Sequence, residues 1–180
     1  MIAADGLMIV LRFFHIVAGI LWVGSAFLFV AFIGPSAAEV GPSAMPLLTF
    51  AVKKRRVAKV ITILGFTTVI AGWLMWLKDL HDYENWSVGN WVFDNNFGLA
   101  LTLGAIAGTA AAFEGYFGVG RNVERLVDLG GEIAASGGPP TPEQGSAMER
   151  VGATIKHHGQ RDLVLLLLAV TFMSTARYWV

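Results

Sequence analysis

Four stretches of this 180-residue chain are long and apolar enough to cross a bilayer, and they decide most of what it can fold into. A helix needs about 20 mostly apolar residues to span the hydrocarbon core, where every peptide group must find its hydrogen-bond partner within the segment. The stretches run from about Leu7 to Ile33, interrupted by Arg12 and His15, then Val57 to Leu77, Phe97 to Val119 and Leu163 to Val180. Their even spacing, with a short loop between the second and third, predicts an all-α integral membrane four-helix up-down bundle. That bundle forms a single transmembrane domain over residues 1–180. The charge content agrees, at 14% of residues against about 25% in a soluble chain. The first stretch is expected to be a retained helix. Asp5 and no basic residue precede Arg12, and the apolar run is too long for a signal peptide.

A net charge of zero conceals an asymmetry. Lys53, Lys54, Arg55, Arg56, Lys59, Arg121, Arg125, Arg150, Lys156 and Arg161 fall where the first stretch joins the second and the third joins the fourth. Only Arg12, Lys78 and Arg177 fall at the opposite ends. Basic residues favour the cytoplasmic side, so the bundle is expected to sit N-out/C-out as a multi-pass protein of a bacterial inner membrane. The balanced charge argues against a nucleic-acid partner. The outer loop Lys78–Asn96 carries Asp79, Asp82, Glu84 and Asp94. Trp73, Trp76, Trp86 and Trp91 nearby are expected to form an interfacial belt.

The segment from about 120 to 161 reads as a cytoplasmic helical hairpin that extends helices three and four. Val123, Leu126, Val127 and Ile133 mark an apolar face among Glu124, Arg125, Asp128 and Glu132. Gly137-Gly138-Pro139-Pro140 ends that helix. Thr141 then reads as an N-cap, with Pro142 at the first helical position and Gln144 completing a capping box. Gly145, Gly152 and Gly159 recur every seven residues, and Gly104, Gly108 and Ala112 form a small-residue series within the third span. Both are seams along which another helix can approach closely.

Ionisable groups at membrane depth are costly, which makes each one a functional candidate. His15 lies eight residues past Leu7, roughly 12 Å into the layer by helix rise. Arg12, His15, Gly19 and Trp22 share one helical face. A neutral imidazole can ligate haem iron, Gly19 leaves room for a flat macrocycle, and Arg12 can pair with a propionate. The alternative is a histidine hydrogen-bonded to a neighbouring helix, with Arg12 reaching to the interface. Among second axial ligands, Met173 is roughly level with His15, while His157 and His158 are roughly 15–20 Å away by helix rise. His81 lies just beyond the second span. Arg177 shares a layer with Arg12 and can hold a second propionate, or else contact headgroups or the outer loop. Glu114 is expected to form a structural ion pair with Lys59 or Arg121, the alternative being a proton-carrying role. His157 and His158, beside Lys156 and Arg161, are expected to form a solvated or headgroup-facing basic end, and Lys53–Arg56 a lipid-headgroup anchor. No nucleophile constellation, P-loop or dinucleotide fingerprint is present. The absence of cysteine excludes disulfides, thiolate metal sites and covalent c-type haem.

The stretch His15-Ile-Val-Ala-Gly-Ile-Leu-Trp22-Val-Gly24, preceded by Arg12-Phe-Phe, resembles the first helix of a bacterial membrane-protein superfamily. It includes the membrane domain of PuuD-type urate oxidases, the CopD copper-resistance family and, more distantly, HemJ-type protoporphyrinogen oxidases. Arg56, the Thr67-to-Gly72 spacing and the closing Met173-Ser-Thr-Ala-Arg177-Tyr178 extend the likeness. The resemblance implies b-type haem at His15, as in the protoporphyrinogen oxidase branch. This chain has half the helices of the PuuD membrane domain and no cysteine for that family's cytochrome c. Glu114 also stands where that domain favours asparagine and aromatic residues, so urate oxidation does not carry over. Two classes of function remain open. One is a b-type haem protein with a redox or electron-transfer role. The other is a non-catalytic accessory subunit that meets a membrane-protein partner or a second copy through its glycine seams, or a porphyrin- or copper-handling membrane protein.

Overall fold

The structure, a computed structural model, describes residues 5–179, and over that range it contains helices and turns without a strand. Residues 1–4 and Val180, the last residue of the fourth predicted span, lie outside it. Helix α1 covers Gly6–Leu28 and runs through a π turn, Phe29–Ile33, into the short helices α2 (Gly34–Val40) and α3 (Met45–Thr49). Helix α4 covers Val57–Glu84, α5 Asn96–Phe113, α6 Arg121–Ala135 and α7 Pro142–Thr175. Four continuous helical stretches are long and apolar enough to span a bilayer. The stretch between the first two spans, which carries no apolar periodicity, is helical as well.

The helix ends follow from local chemistry. Asp5 caps α1, its carboxylate accepting from the backbone N–H groups of Leu7 (3.1 Å) and Met8 (3.2 Å). The same carboxylate pairs with Lys78 Nζ at 2.7 Å, pinning the start of α1 to the far end of α4. That cation and the two backbone N–H groups hold the Asp5 carboxyl below the usual carboxylate range. Asn85 and Trp86, both at positive φ (44° and 71°), close α4. Asn95 caps α5 by accepting from Gly98 N–H and donates to Glu84 at 3.2 Å, which joins α5 to the end of α4. At the start of α7 the predicted capping box is present, with Gln144 N–H donating to Thr141 Oγ1 and Thr141 N–H donating to Gln144 Oε1. Thr141→Ala is expected to cost about 1 kcal/mol. The check is a lower apparent Tm in detergent, with the early amides of α7 exchanging faster than in wild type.

The helices pack as two intimate pairs, α1 with α4 and α5 with α7, joined through a narrower α4–α5 contact. Glycines set the closeness of both pairs. Gly65, Gly72 and Gly104 each lie where an added Cβ would come within 3.0 Å of a facing side chain. Gly108 sits against Ala169, so the Gly104–Gly108–Ala112 series is filled from within by α7. This corrects its reading as a seam for a partner or second copy. Of the seven-residue glycine series only Gly159 meets another helix, against Val30, while Gly145 and Gly152 face open space. Trp22, Ala26, Ala111, Ala112 and Leu166 form the core where α1, α5 and α7 converge. The outside is apolar instead of polar, with Ile20 67% and Phe13 61% exposed. That inversion is what lipid contact requires, since lipid tails are as apolar as the side chains.

The expected tryptophan belt needs correction. Trp73 and Trp76 turn inward, donating to Thr109 Oγ1 (2.9 Å) and Thr102 Oγ1 (2.8 Å) on α5. Trp91 is fully buried, edge-on to Trp76 and Phe97 and packed over Gly98. Trp86 alone of the four is widely exposed, at 57%. For Trp73 and Trp76 the threonine hydroxyls supply an acceptor that the apolar surroundings lack, whereas the buried Trp91 Nε1 has no hydrogen-bond partner. The Trp–Thr pairs therefore act as the polar link between the two helix pairs.

Candidate functional site

The α1–α4 pair is built around the face that carries Arg12, His15, Gly19 and Trp22. Two side chains of α1 meet glycines of α4, and one glycine of α1 meets a threonine of α4. The His15 ring lies over Gly72, where an added Cβ would meet Cε1 at 2.9 Å and Nδ1 at 3.0 Å. Gly19 lies against Thr68, and the Trp22 indole covers Gly65. The half-buried His15 donates from Nδ1–H to the Thr68 carbonyl oxygen at 2.8 Å. A carbonyl can only accept, so in the neutral ring the proton is on Nδ1 and the lone pair is on Nε2. An open apolar groove of about 230 Å³ runs beside this seam, lined by Leu11, Phe14, Thr67, Ile70, Ala71 and Leu74. Arg12, one turn towards the Lys78 end, is exposed, and its charge acts on Asp79.

The other candidate positions are not gathered here. Met173 folds over Gly104 in the α5–α7 seam, with Cγ 2.8 Å from where a Cβ would stand. Arg177 is exposed on the 3₁₀ turn after α7, its guanidinium stacked on Tyr178 at 5.2 Å. His81 remains at the surface, bonded to Asp82 at 3.0 Å, and does not dip into the bundle. His15 and His158 are thus each set between two helices with a ring nitrogen that no protein hydrogen bond engages, and of the two His15 is the one whose bonded nitrogen meets a backbone carbonyl instead of a carboxylate. The seam thus carries an imidazole of fixed tautomer beside an open apolar groove, with a cation one turn away.

A second cluster sits at the basic end, where α5 passes into the π stretch Glu114–Gly120. Glu114 Oε1 accepts from His158 Nδ1–H at 2.8 Å and lies 3.4 Å from Arg161 Nε. Lys59 and Arg121, the partners expected from depth, are replaced by two residues of α7. His158 is likewise not part of a solvated end, since its ring fills the notch at Gly118, where a Cβ would approach it to 2.6 Å. Beside them Asp162, 4% exposed, faces Gly115 with Oδ1 lacking a hydrogen-bond partner. Sequence reasoning passed over Asp162 because it stands one residue ahead of the fourth apolar stretch and looks like its polar edge. Its spacing of four from His158 was the available signal. No family model, curated protein or solved structure matches the chain.

Proposed function

We propose that the chain is a bacterial inner-membrane protein, its basic end in the cytoplasm, that binds b-type haem through His15 Nε2 in a redox or electron-transfer role. The observation that carries this reading is the hydrogen bond from His15 Nδ1–H to the Thr68 carbonyl. Imidazoles that bind metal commonly donate their other ring N–H to a carbonyl or carboxylate, which fixes the tautomer and raises the basicity of the ligating nitrogen. Here the donor is on α1 and the acceptor on α4, so ring orientation is set by the packing of two helices. Gly72 allows the ring that close approach, and Trp22 over Gly65 holds the helices in register. Arg12 would hold a propionate, whereas Arg177, on the turn after α7, is not gathered with His15. When bound, haem supplies one-electron chemistry that these side chains lack. The chain orients the imidazole through the Thr68 carbonyl.

A second reading rests on the same seam. His15 fills the notch of Gly72 as Trp22 fills that of Gly65, which is what a packing staple in a non-catalytic accessory subunit would do. Purification in mild detergent from cells with ample haem separates the two. The haem reading predicts a Soret band that co-elutes with the chain. Colourless protein that elutes with a larger membrane complex would establish the accessory reading instead.

A further inference from the structure

We propose that Asp162 is a proton-binding site at the basic end of the bundle, carrying a proton on its carboxyl group at neutral pH. This stands apart from the haem reading and rests on other residues.

Asp162 is 4% exposed and points across the α5–α7 seam at Gly115, where both its oxygens would lie 3.6 Å from an added Cβ. Oδ1 is buried and without a hydrogen-bond partner. Burying an ionised carboxylate without a counter-charge is expensive, and adding a proton removes most of that cost. The cations that could have paired with it are committed elsewhere. On its own helix His158 and Arg161 both turn to Glu114. From α5, Glu114 is the charged group that acts on Asp162, and it is acidic. From α1, the ionisable residues Arg12 and His15 lie in the half of the helix near the Lys78 end, and the turn Phe29–Ile33 brings only apolar side chains. From α6 the nearest cation in sequence, Arg121, stacks on Phe117 at 5.9 Å. Asp162 therefore meets a like charge whose own counter-ions are already engaged.

The backbone makes the arrangement specific. The π stretch Glu114–Gly120 departs from regular helix spacing just where Glu114, Gly115 and Gly118 face α7. Such bulges are frequent at functional sites because they re-aim side chains within a helix. The result is a buried carboxyl group with no partner on Oδ1, next to a carboxylate bonded to an imidazole. The cluster is a place to hold a proton, and not just an ion pair.

Infrared spectroscopy of the full chain in detergent at neutral pH tests this directly. A protonated carboxylic acid gives a carbonyl stretch above the amide band. Wild type is expected to show such a band, shifted in deuterium oxide and absent from Asp162→Asn. Asp128→Asn, at an exposed site, is expected to retain it. Should Asp162→Asn fail to fold, Asp79→Asn grown with aspartate ¹³C-labelled at its side-chain carboxyl gives the answer, because the band must persist without this other, half-buried aspartate and move with the label. A wild-type spectrum without the band, a band that survives Asp162→Asn, or one that ignores the aspartate label would overturn the proposal.

Discussion

Trp22→Ala is expected to destabilise the bundle by about 3–5 kcal/mol, the range for deleting a buried large aromatic side chain. Trp22 is 4% exposed and belongs to the core where α1 meets α5 and α7. Its indole also spaces α1 from α4, with Cε2 2.9 Å from where a Cβ on Gly65 would stand. Between membrane helices, association relies on this kind of close packing because lipid tails offer no hydrophobic penalty to burial elsewhere. A hole there cannot be repaid by the solvent. The measurement is the apparent Tm in detergent, and the control is Gly65→Leu. Alone, Gly65→Leu is expected to destabilise by driving a side chain into the indole. Combined with Trp22→Ala it fills the hole, so the double variant is expected to be more stable than the two single losses predict. Coupling of about 0.5–3 kcal/mol is usual for residues in direct contact. Strict additivity would show that Trp22 and Gly65 do not share this contact.

The long helices were legible because hydropathy and length act along the chain. The stop at Gly137–Pro140 and the cap at Thr141 were legible because turn and cap chemistry is local. What the sequence could not convey is which way each helix faces. Trp73 and Trp76 sit near a span end, and depth alone suggested the interface. Their partners, Thr109 and Thr102, lie 36 and 26 residues away, and only packing shows that the indoles turn inward. The Gly104–Gly108–Ala112 series was visible, yet nothing local says that α7 would occupy it. Glu114 failed in the same way. Lys59 and Arg121 matched its depth, but the azimuth of α7 supplies His158 and Arg161 instead.

The candidate site divides along the same line. The face carrying Arg12, His15, Gly19 and Trp22 follows from helix periodicity within one segment, so it was readable. The acceptor of the His15 proton is a backbone carbonyl, and a carbonyl leaves no mark in a sequence. Met173 matched His15 in height but packs in the other seam, over Gly104.

Binding of haem requires that His15 hold a metal, beyond joining two helices. Purified apo-protein titrated with haem tests it. Wild type is expected to bind one haem per chain with a Soret shift, and His15→Ala is expected to lose that shift. Adding free imidazole to His15→Ala is then the deciding measurement. The lost ring leaves a space beside Gly72 and Thr68 that imidazole fits, and a ligand role predicts that the Soret shift returns as imidazole is added. Wild type that never acquires the shift, or His15→Ala that binds haem as well as wild type without imidazole, would contradict the assignment.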